Sequence, residues 1–188
     1  MEQPHTIWLT GVSGAGKTTI ALALQDQLTR GGRQTTVLDG DILRRGLSSD
    51  LGLSHEDRSE QARRAAHVAA LFAQIGVVAV VALVSPYAAD RRLAREIHVE
   101  RGLDFFEVWV DTPLEICAER DPKGLYARNR KGALSGLTGI DAPYEAPADP
   151  DMRVSGYGTT PEQVAARILE QVAPSLLPDD ATSGSSRP

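Results

Sequence analysis

Ile7-Trp-Leu-Thr-Gly11-Val-Ser13-Gly14-Ala15-Gly16-Lys17-Thr18-Thr19-Ile20 is the stretch that decides how the rest of the chain is read. Gly11, Gly16, Lys17 and Thr18 satisfy G-x-x-x-x-G-K-[ST], with a short apolar strand before the pattern and an apolar-periodic helix after it. A loop that wraps a phosphate chain must turn its backbone N–H groups inward, and Gly11, Gly14 and Gly16 permit the positive φ angles and close approach this requires. The helix that follows aims the positive end of its dipole at the same anion. Lys17 then reaches the β and γ phosphates of ATP, and the Thr18 hydroxyl is placed to ligate Mg²⁺. The reading is a P-loop, with the cradle running through Gly11, Ser13, Gly14, Ala15, Gly16, Lys17, Thr18 and Thr19. The motif leaves the phosphate acceptor open.

Working outward, Lys17 to Arg30 carries apolar residues at helical spacing and stops at Gly31-Gly32. Gln34 to Leu38 is a second strand that runs into Asp39-Gly40-Asp41, and ligands of open α/β sheets lie beyond the carboxyl ends of strands. Both carboxylates are therefore expected near the P-loop if the two strands are parallel neighbours. Ile42 to Leu53 is mixed in character and holds Arg44, Arg45 and Asp50. Ser54 reads as the N-cap of a helix that keeps Ala62, Ala65, Ala66, Ala69, Phe72 and Ile75 at helical spacing until Gly76. Its first turn is expected to open Arg58 and Gln61 onto the crevice. Val77 to Val84 is a nearly continuous apolar run, a central strand covered on both faces, and Ser85-Pro86-Tyr87 ends it at the crevice.

A charged helix, Asp90 to Arg101, precedes a fourth strand, Phe105 to Asp111. Thr112 is expected to cap the next helix, with Pro113 at its first position and Cys117 as a small core residue. Residues 121 to about 134 hold Lys123, Arg128, Arg130 and Lys131 with few large apolar residues, which suggests a basic lid that closes over phosphates. Leu134 to Pro150 is loop-like, Asp151 to Val154 reads as an edge strand, and Thr160-Pro161-Glu162 opens a last amphipathic helix. Periodicity is lost from Pro174, so 174–188 is expected to be a disordered tail, with 179–188 the most tail-like in composition. Residues 1–173 thus form one domain, a three-layer α/β/α sandwich with a mainly parallel sheet, of the nucleoside-monophosphate-kinase-like kind.

At 188 residues, with a net charge of −5, the chain is acidic, so nucleic acid is excluded as its main partner and the arginines need a local explanation. One cysteine rules out an internal disulfide and any multi-cysteine metal site. No apolar run reaches membrane-spanning length and the first residues lack signal-peptide features, which predicts a cytoplasmic protein with no membrane partner. Beside ATP, Asp41 or Asp39 is placed to accept a hydroxyl proton or to hold the Mg²⁺ water shell; Arg44, Arg58 and Arg63 to clamp an anionic acceptor; Arg64 to lie on an exposed helix face. An anionic small-molecule substrate follows. No Asn-Lys-x-Asp element supports a guanine-nucleotide switch. A nucleotide-binding partner without catalysis would keep the same P-loop.

The chain resembles the adenylyl-sulfate kinases, which transfer the γ-phosphate of ATP to the 3′-hydroxyl of adenylyl sulfate. The resemblance spans residues 7–154 and rests on Gly11 to Thr18, Asp39-Gly-Asp41 with Arg44, Asp57-Arg58, Ser85-Pro-Tyr87, Arg120-Asp-Pro-Lys-Gly-Leu-Tyr126, Thr138-Gly-Ile140 and Pro143-Tyr-Glu-Ala-Pro147. It implies that Asp41 is the base, that Arg44 and Arg58 contact the phosphosulfate part, and that Ser85, Pro86 and Tyr87 line the acceptor site with Asp39 and Gln61. It also implies that Arg120 and Lys123 belong to the ATP side, that Thr138, Gly139 and Ile140 approach the acceptor nucleoside, and that the protein forms a homodimer. The family holds the acceptor adenine between two phenylalanines, and this sequence has Leu53 and Leu137 at those places. Ile42, Gln61 and Ala88 also depart from the family pattern. Loss of two aromatic faces, each worth roughly 1–3 kcal/mol per base, weakens adenine binding by about ten- to a thousandfold. Two readings follow: the family activity with leucines tolerated, or a kinase whose acceptor is a different anionic nucleotide or metabolite.

Overall fold

Strand formation follows the β-branched and apolar runs, and the helices between them force those strands to be parallel. The computed structural model describes residues 5–177. In chain order the elements are β1 (His5–Thr10), α1 (Lys17–Arg30), β2 (Thr35–Asp39), α2 (Gly40–Leu43), α3 (His55–Gln74), β3 (Val78–Ala82), α4 (Ala88–Val99), β4 (Asp104–Val110), α5 (Leu114–Arg120), α6 (Leu125–Arg130), β5 (Met152–Val154) and α7 (Pro161–Val172). The five strands form one sheet in the order β2-β3-β1-β4-β5, every pairing parallel.

Alternation along β1 divides the core. Ile7 and Leu9 join Ile20, Leu24, Leu28, Ile168 and Leu169 on the α1/α7 face, while Trp8 joins the alanines of α3 and Ile97 of α4 on the other. Each such Ile or Leu contributes about 1.5–3 kcal/mol on burial. The stripe Ala62, Ala65, Ala66, Ala69, Ala70 and Ala73 is buried throughout, and its small side chains leave room for the Trp8 ring beneath α3.

β3 lies between β1 and β2, so the two strands are not the neighbours on which the expected placing of Asp39 and Asp41 was conditioned. The chain leaves β1 on one side of the sheet and returns beyond β3, which opens a crevice at the carboxyl ends where the strand order reverses. Thr112 does not cap α5: that helix starts without a side-chain cap. The supposed lid loop contains a helix, α6, because the Asp121 carboxylate, itself at φ +30°, accepts from Tyr126 N and Ala127 N and the Tyr126 ring is buried. Ser54 caps α3 and the last helix starts at Thr160 as the sequence predicts, with a capping box between Thr160 and Gln163 that the sequence reading did not name. Packing continues past residue 173: Pro174–Leu176 makes a 3₁₀ turn with Leu176 buried and the Arg33 guanidinium on Ser175 O. The expected tail from 174 thus begins with an ordered turn, and its residues 178–188 lie outside the described residues.

Candidate active site

The phosphate cradle is fixed by contacts that tolerate no side chain at two of its glycines. A Cβ on Gly11 would lie 2.6 Å from Val110 O, and one on Gly14 2.9 Å from Cys117 O. Cys117 therefore forms the floor of the loop, buried as expected, and that burial pushes its thiol pKa up. Lys17 Nζ donates to Gly11 O at 2.7 Å and Val12 O at 2.8 Å, which folds the loop around the ammonium. Burial, reinforced by nearby Lys123, pulls its pKa down to about 8. α1 begins at Gly16 with no side-chain cap, so its first N–H groups are left to face the cleft.

Two side chains hold the loop from outside, and sequence reasoning missed both roles. Thr112 Oγ1 donates to Ala15 O at 2.8 Å and accepts from Gly156 N at 2.9 Å. Tyr126 Oη, from the lid, donates to Ser13 O at 2.8 Å. A threonine after a strand signals a cap, and nothing local distinguishes a hydroxyl spent on a distant carbonyl.

Asp39 and Asp41 divide their work. Thr18 Oγ1 donates to Asp39 Oδ2 at 2.6 Å, while Asp39 Oδ1 accepts from Asp41 N and Ile42 N and so caps α2. Asp39 thus reaches the P-loop across β3 and sits in the nucleotide cleft, whereas the half-exposed Asp41 carboxylate forms an ion pair with Lys123 of the lid. Among the described residues no cluster of three or more His, Cys, Asp or Glu could cage a metal. A hydroxyl and a carboxylate in contact beside a phosphate cradle suit Mg²⁺, which takes one or two protein ligands and completes its shell with phosphate and water.

Two clefts meet at Asp41. The larger, about 930 Å³, is lined by Ser13, Gly14, Gly16, Lys17, Thr18, Thr19, Asp39, Asp41, Arg120 and Gly156 among others. The smaller, about 130 Å³, is lined by Asp41, Arg44, Leu53, Arg58, Gln61, Ser85, Pro86, Leu137 and Thr138 among others. Ser13, Asp41, Val84 and Lys123 line both. The ten residues Asp41, Arg44, Leu53, Arg58, Gln61, Ser85, Pro86, Lys123, Leu137 and Thr138 named from the sequence are thus brought together, while Tyr87, Gly139 and Ile140 are not among the lining residues. Tyr87 is buried with its ring 4.0 Å from that of His55; Gly139 abuts Val12; Ile140 is exposed. Arg120, on the nucleotide side, donates to Gly156 O at 2.8 Å.

The arginines do more than supply charge. Arg44 donates to Gly52 O at 2.7 Å, Arg58 to Leu53 O at 3.0 Å and Gly136 O at 2.9 Å, and Arg64 to Leu47 O at 2.9 Å while forking onto Asp50. Residues 47–53 have no regular structure, and these guanidiniums satisfy the carbonyls that no ladder or helix pairs. Arg58 bridges the backbone beside both leucines of the smaller cleft. Among the described residues no hydrogen bond engages its Nη1 or the Nε and Nη2 of Arg44, which leaves them for an anion, and burial holds both guanidinium pKa values below the usual range. Arg63 pairs with Glu60 and is not among the lining residues, which corrects its suggested part in the clamp. Arg64 is likewise part of an ion-pair network instead of a bare helix face. Gln61 is buried with its amide donating to Gly40 O at 3.0 Å.

Residues 3–155 match the family model described as adenylylsulphate kinase. The chain is 46% identical over 169 residues to the adenylyl-sulfate kinase of Clostridium acetobutylicum, covering 90% of this chain and 83% of that protein. It is 49% identical over 158 residues to the bifunctional enzyme CysN/CysC of Mycobacterium tuberculosis, covering 84% of this chain and 26% of that one. The chain therefore spans about a quarter of the length of these bifunctional relatives. The solved structure of the Mycobacterium tuberculosis APS kinase CysC with AMPPNP and APS superposes with a TM-score of 0.88 at 44% identity, over 91% of this chain and 98% of that one.

Proposed function

We propose that this chain, which belongs to the adenylylsulphate kinase family, transfers the γ-phosphate of ATP to the 3′-hydroxyl of adenylyl sulfate, giving 3′-phosphoadenylyl sulfate and ADP. The observation that carries this reading is the seam: Asp41 and Lys123 form an ion pair where the phosphate-side cleft meets the cleft lined by Arg44, Arg58, Leu53 and Leu137. Phosphoryl transfer asks a protein for positioning and charge neutralisation more than for covalent chemistry, and each is provided for here.

The P-loop amides and Lys17 bind the triphosphate, and Thr18 with Asp39 would hold Mg²⁺, which neutralises charge building on the phosphate oxygens. Arg44 and Arg58 draw the acceptor's anionic part into the smaller cleft with their remaining N–H groups. Asp41 accepts the proton of the acceptor hydroxyl as its oxygen bonds to the γ-phosphorus and the bond to the ADP oxygen breaks. Lys123 supplies positive charge at the same point and closes the lid against water.

Initial rates of 3′-phosphoadenylyl sulfate formation, against a panel of other nucleotides and hydroxylated anions, test the reading. A kcat/KM for adenylyl sulfate within roughly 10⁴–10⁸ M⁻¹s⁻¹ is expected. Asp41→Asn is expected to lower kcat about 10²–10⁴-fold with ATP affinity within about threefold of wild type. ATP binding with no transfer to adenylyl sulfate overturns the proposal.

No helix among the described residues is long and apolar enough to cross a membrane. We also propose a cytoplasmic homodimer, which light scattering would register as about twice the 20.2 kDa chain mass. A monomer in solution would refute the dimer.

A further inference from the structure

Arg91, on the first turn of α4, lines neither cleft and is 3% exposed, yet all its guanidinium nitrogens are engaged. Nε donates to Glu107 Oε1 at 2.6 Å, Nη1 to Ser85 O at 2.8 Å and Nη2 to Glu145 O at 2.7 Å. These partners come from three separate parts of the chain: a core strand, the turn after β3, and the irregular segment before β5.

Ser85 sits at φ +38°, a left-handed conformation that a serine leaves unless it is held. Its carbonyl is gripped by Arg91, and its hydroxyl accepts from Trp8 Nε1 at 3.0 Å. Glu145 is stitched to the same turn twice more, through Glu145 N to Pro86 O at 2.8 Å and Ala88 N to Glu145 Oε2 at 2.7 Å. From Glu145 the chain runs back only a few residues to the tight turn closed by the Asp141 carboxylate on Leu137 N at 2.6 Å. Ser85 and Pro86 form one wall of the acceptor cleft, Leu137 and Thr138 another. A lighter tie on this side runs through the Thr10 hydroxyl, which donates to Val84 O at 2.8 Å and lies 3.1 Å from Tyr144 Oη, whereas the ties through Arg91 and Glu145 join the two walls by four hydrogen bonds.

We propose that Arg91 is a positioning residue of the acceptor site, fixing the spacing of its Ser85–Pro86 and Leu137–Thr138 walls while leaving the ATP cleft untouched. A buried ion pair contributes little net stability compared with an apolar pair of the same size, so the Arg91–Glu107 pair earns its place through orientation. Arginine is required because one planar fork serves a carboxylate and two carbonyls in fixed directions, whereas lysine presents a single nitrogen. The inference rests on the kinase reading above.

Initial rates on the full chain, with adenylyl sulfate varied at saturating ATP and ATP varied at saturating adenylyl sulfate, test it. Arg91→Lys is expected to raise the KM for adenylyl sulfate about ten- to thirtyfold while the KM for ATP stays within about twofold. Glu145→Ala, at an exposed position, removes only the tie to Ala88 N and is expected to raise the same KM about three- to fivefold. Parallel changes in both KM values, or an unchanged acceptor KM in an Arg91→Lys protein that melts cooperatively, overturn the proposal. Should Arg91→Lys fail to fold, Glu145→Ala decides alone, and an unchanged acceptor KM overturns it. A wild-type protein that does not turn over adenylyl sulfate overturns the kinase reading itself, and this inference with it.

Discussion

Lys17 is the residue on which donor binding turns, and its environment works against the charge it must carry. The ammonium is buried among loop carbonyls, and burial, with Lys123 nearby, lowers its pKa to about 8. A bound triphosphate favours the protonated form, so binding raises that pKa and consumes a proton wherever the free protein has lost one. The sign is therefore fixed: affinity is flat below pH 8 and falls as pH rises above it, approaching about tenfold per pH unit. The phosphates add no titration there, since they are ionised above about pH 7. Calorimetric titration of a non-hydrolysable ATP analogue from pH 7.5 to 9.5 checks this, and an affinity that holds level across the range contradicts it.

At the scale of elements, the P-loop is held by a segment far along the chain. A Cβ on Gly156 would come 2.1 Å from Ala15 O and 2.9 Å from Thr112 Oγ1, both part of the cradle's support. The first of these is backbone and cannot swing aside. Gly156→Ala is expected to push the loop after β5 off the P-loop, costing about 1–3 kcal/mol of stability and lowering Tm by about 2–10 °C. ATP affinity is expected to fall at least about tenfold, since the cradle shifts with Ala15. Calorimetry and nucleotide titration on one sample check both, and wild-type values for both would show that the loop gives way at no cost. A glycine in Ser-Gly-Tyr-Gly carries no local sign of this contact. The strand–loop–helix around Gly11 to Thr18, the Ser54 cap and the helix start at Thr160 were legible because each is written in residues a few positions apart. The insertion of β3 between β1 and β2 was not, because strand order is set by packing between distant segments. The arginines were legible as a local excess of charge. That Arg44, Arg58 and Arg64 would hold the carbonyls of 47–53 was not, since the demand comes from backbone whose irregular path the sequence does not state.

Across the whole molecule the two clefts are built by different means, and that difference decides which one tolerates substitution. The donor cleft holds phosphate on loop backbone, glycines and a helix start, and at Gly11 and Gly14 no side chain fits. The acceptor cleft is walled by side chains, with Leu53 48% exposed at its mouth and Leu137 6% exposed within it. These leucines are therefore not equivalent. An aromatic ring at 53 has open space to enter and would offer a stacking face worth roughly 1–3 kcal/mol per base, less the apolar contact that leucine already gives. An aromatic ring at 137 must be forced into a packed site, where overpacking costs about 1–3 kcal/mol. Leu53→Phe is accordingly expected to lower the KM for adenylyl sulfate about three- to thirtyfold with Tm unchanged. Leu137→Phe is expected to lower Tm and to improve KM less, and neither should move the KM for ATP. Paired steady-state kinetics and melting curves on the two single variants decide it: equal gains at both positions would mean that the buried wall yields as freely as the open one.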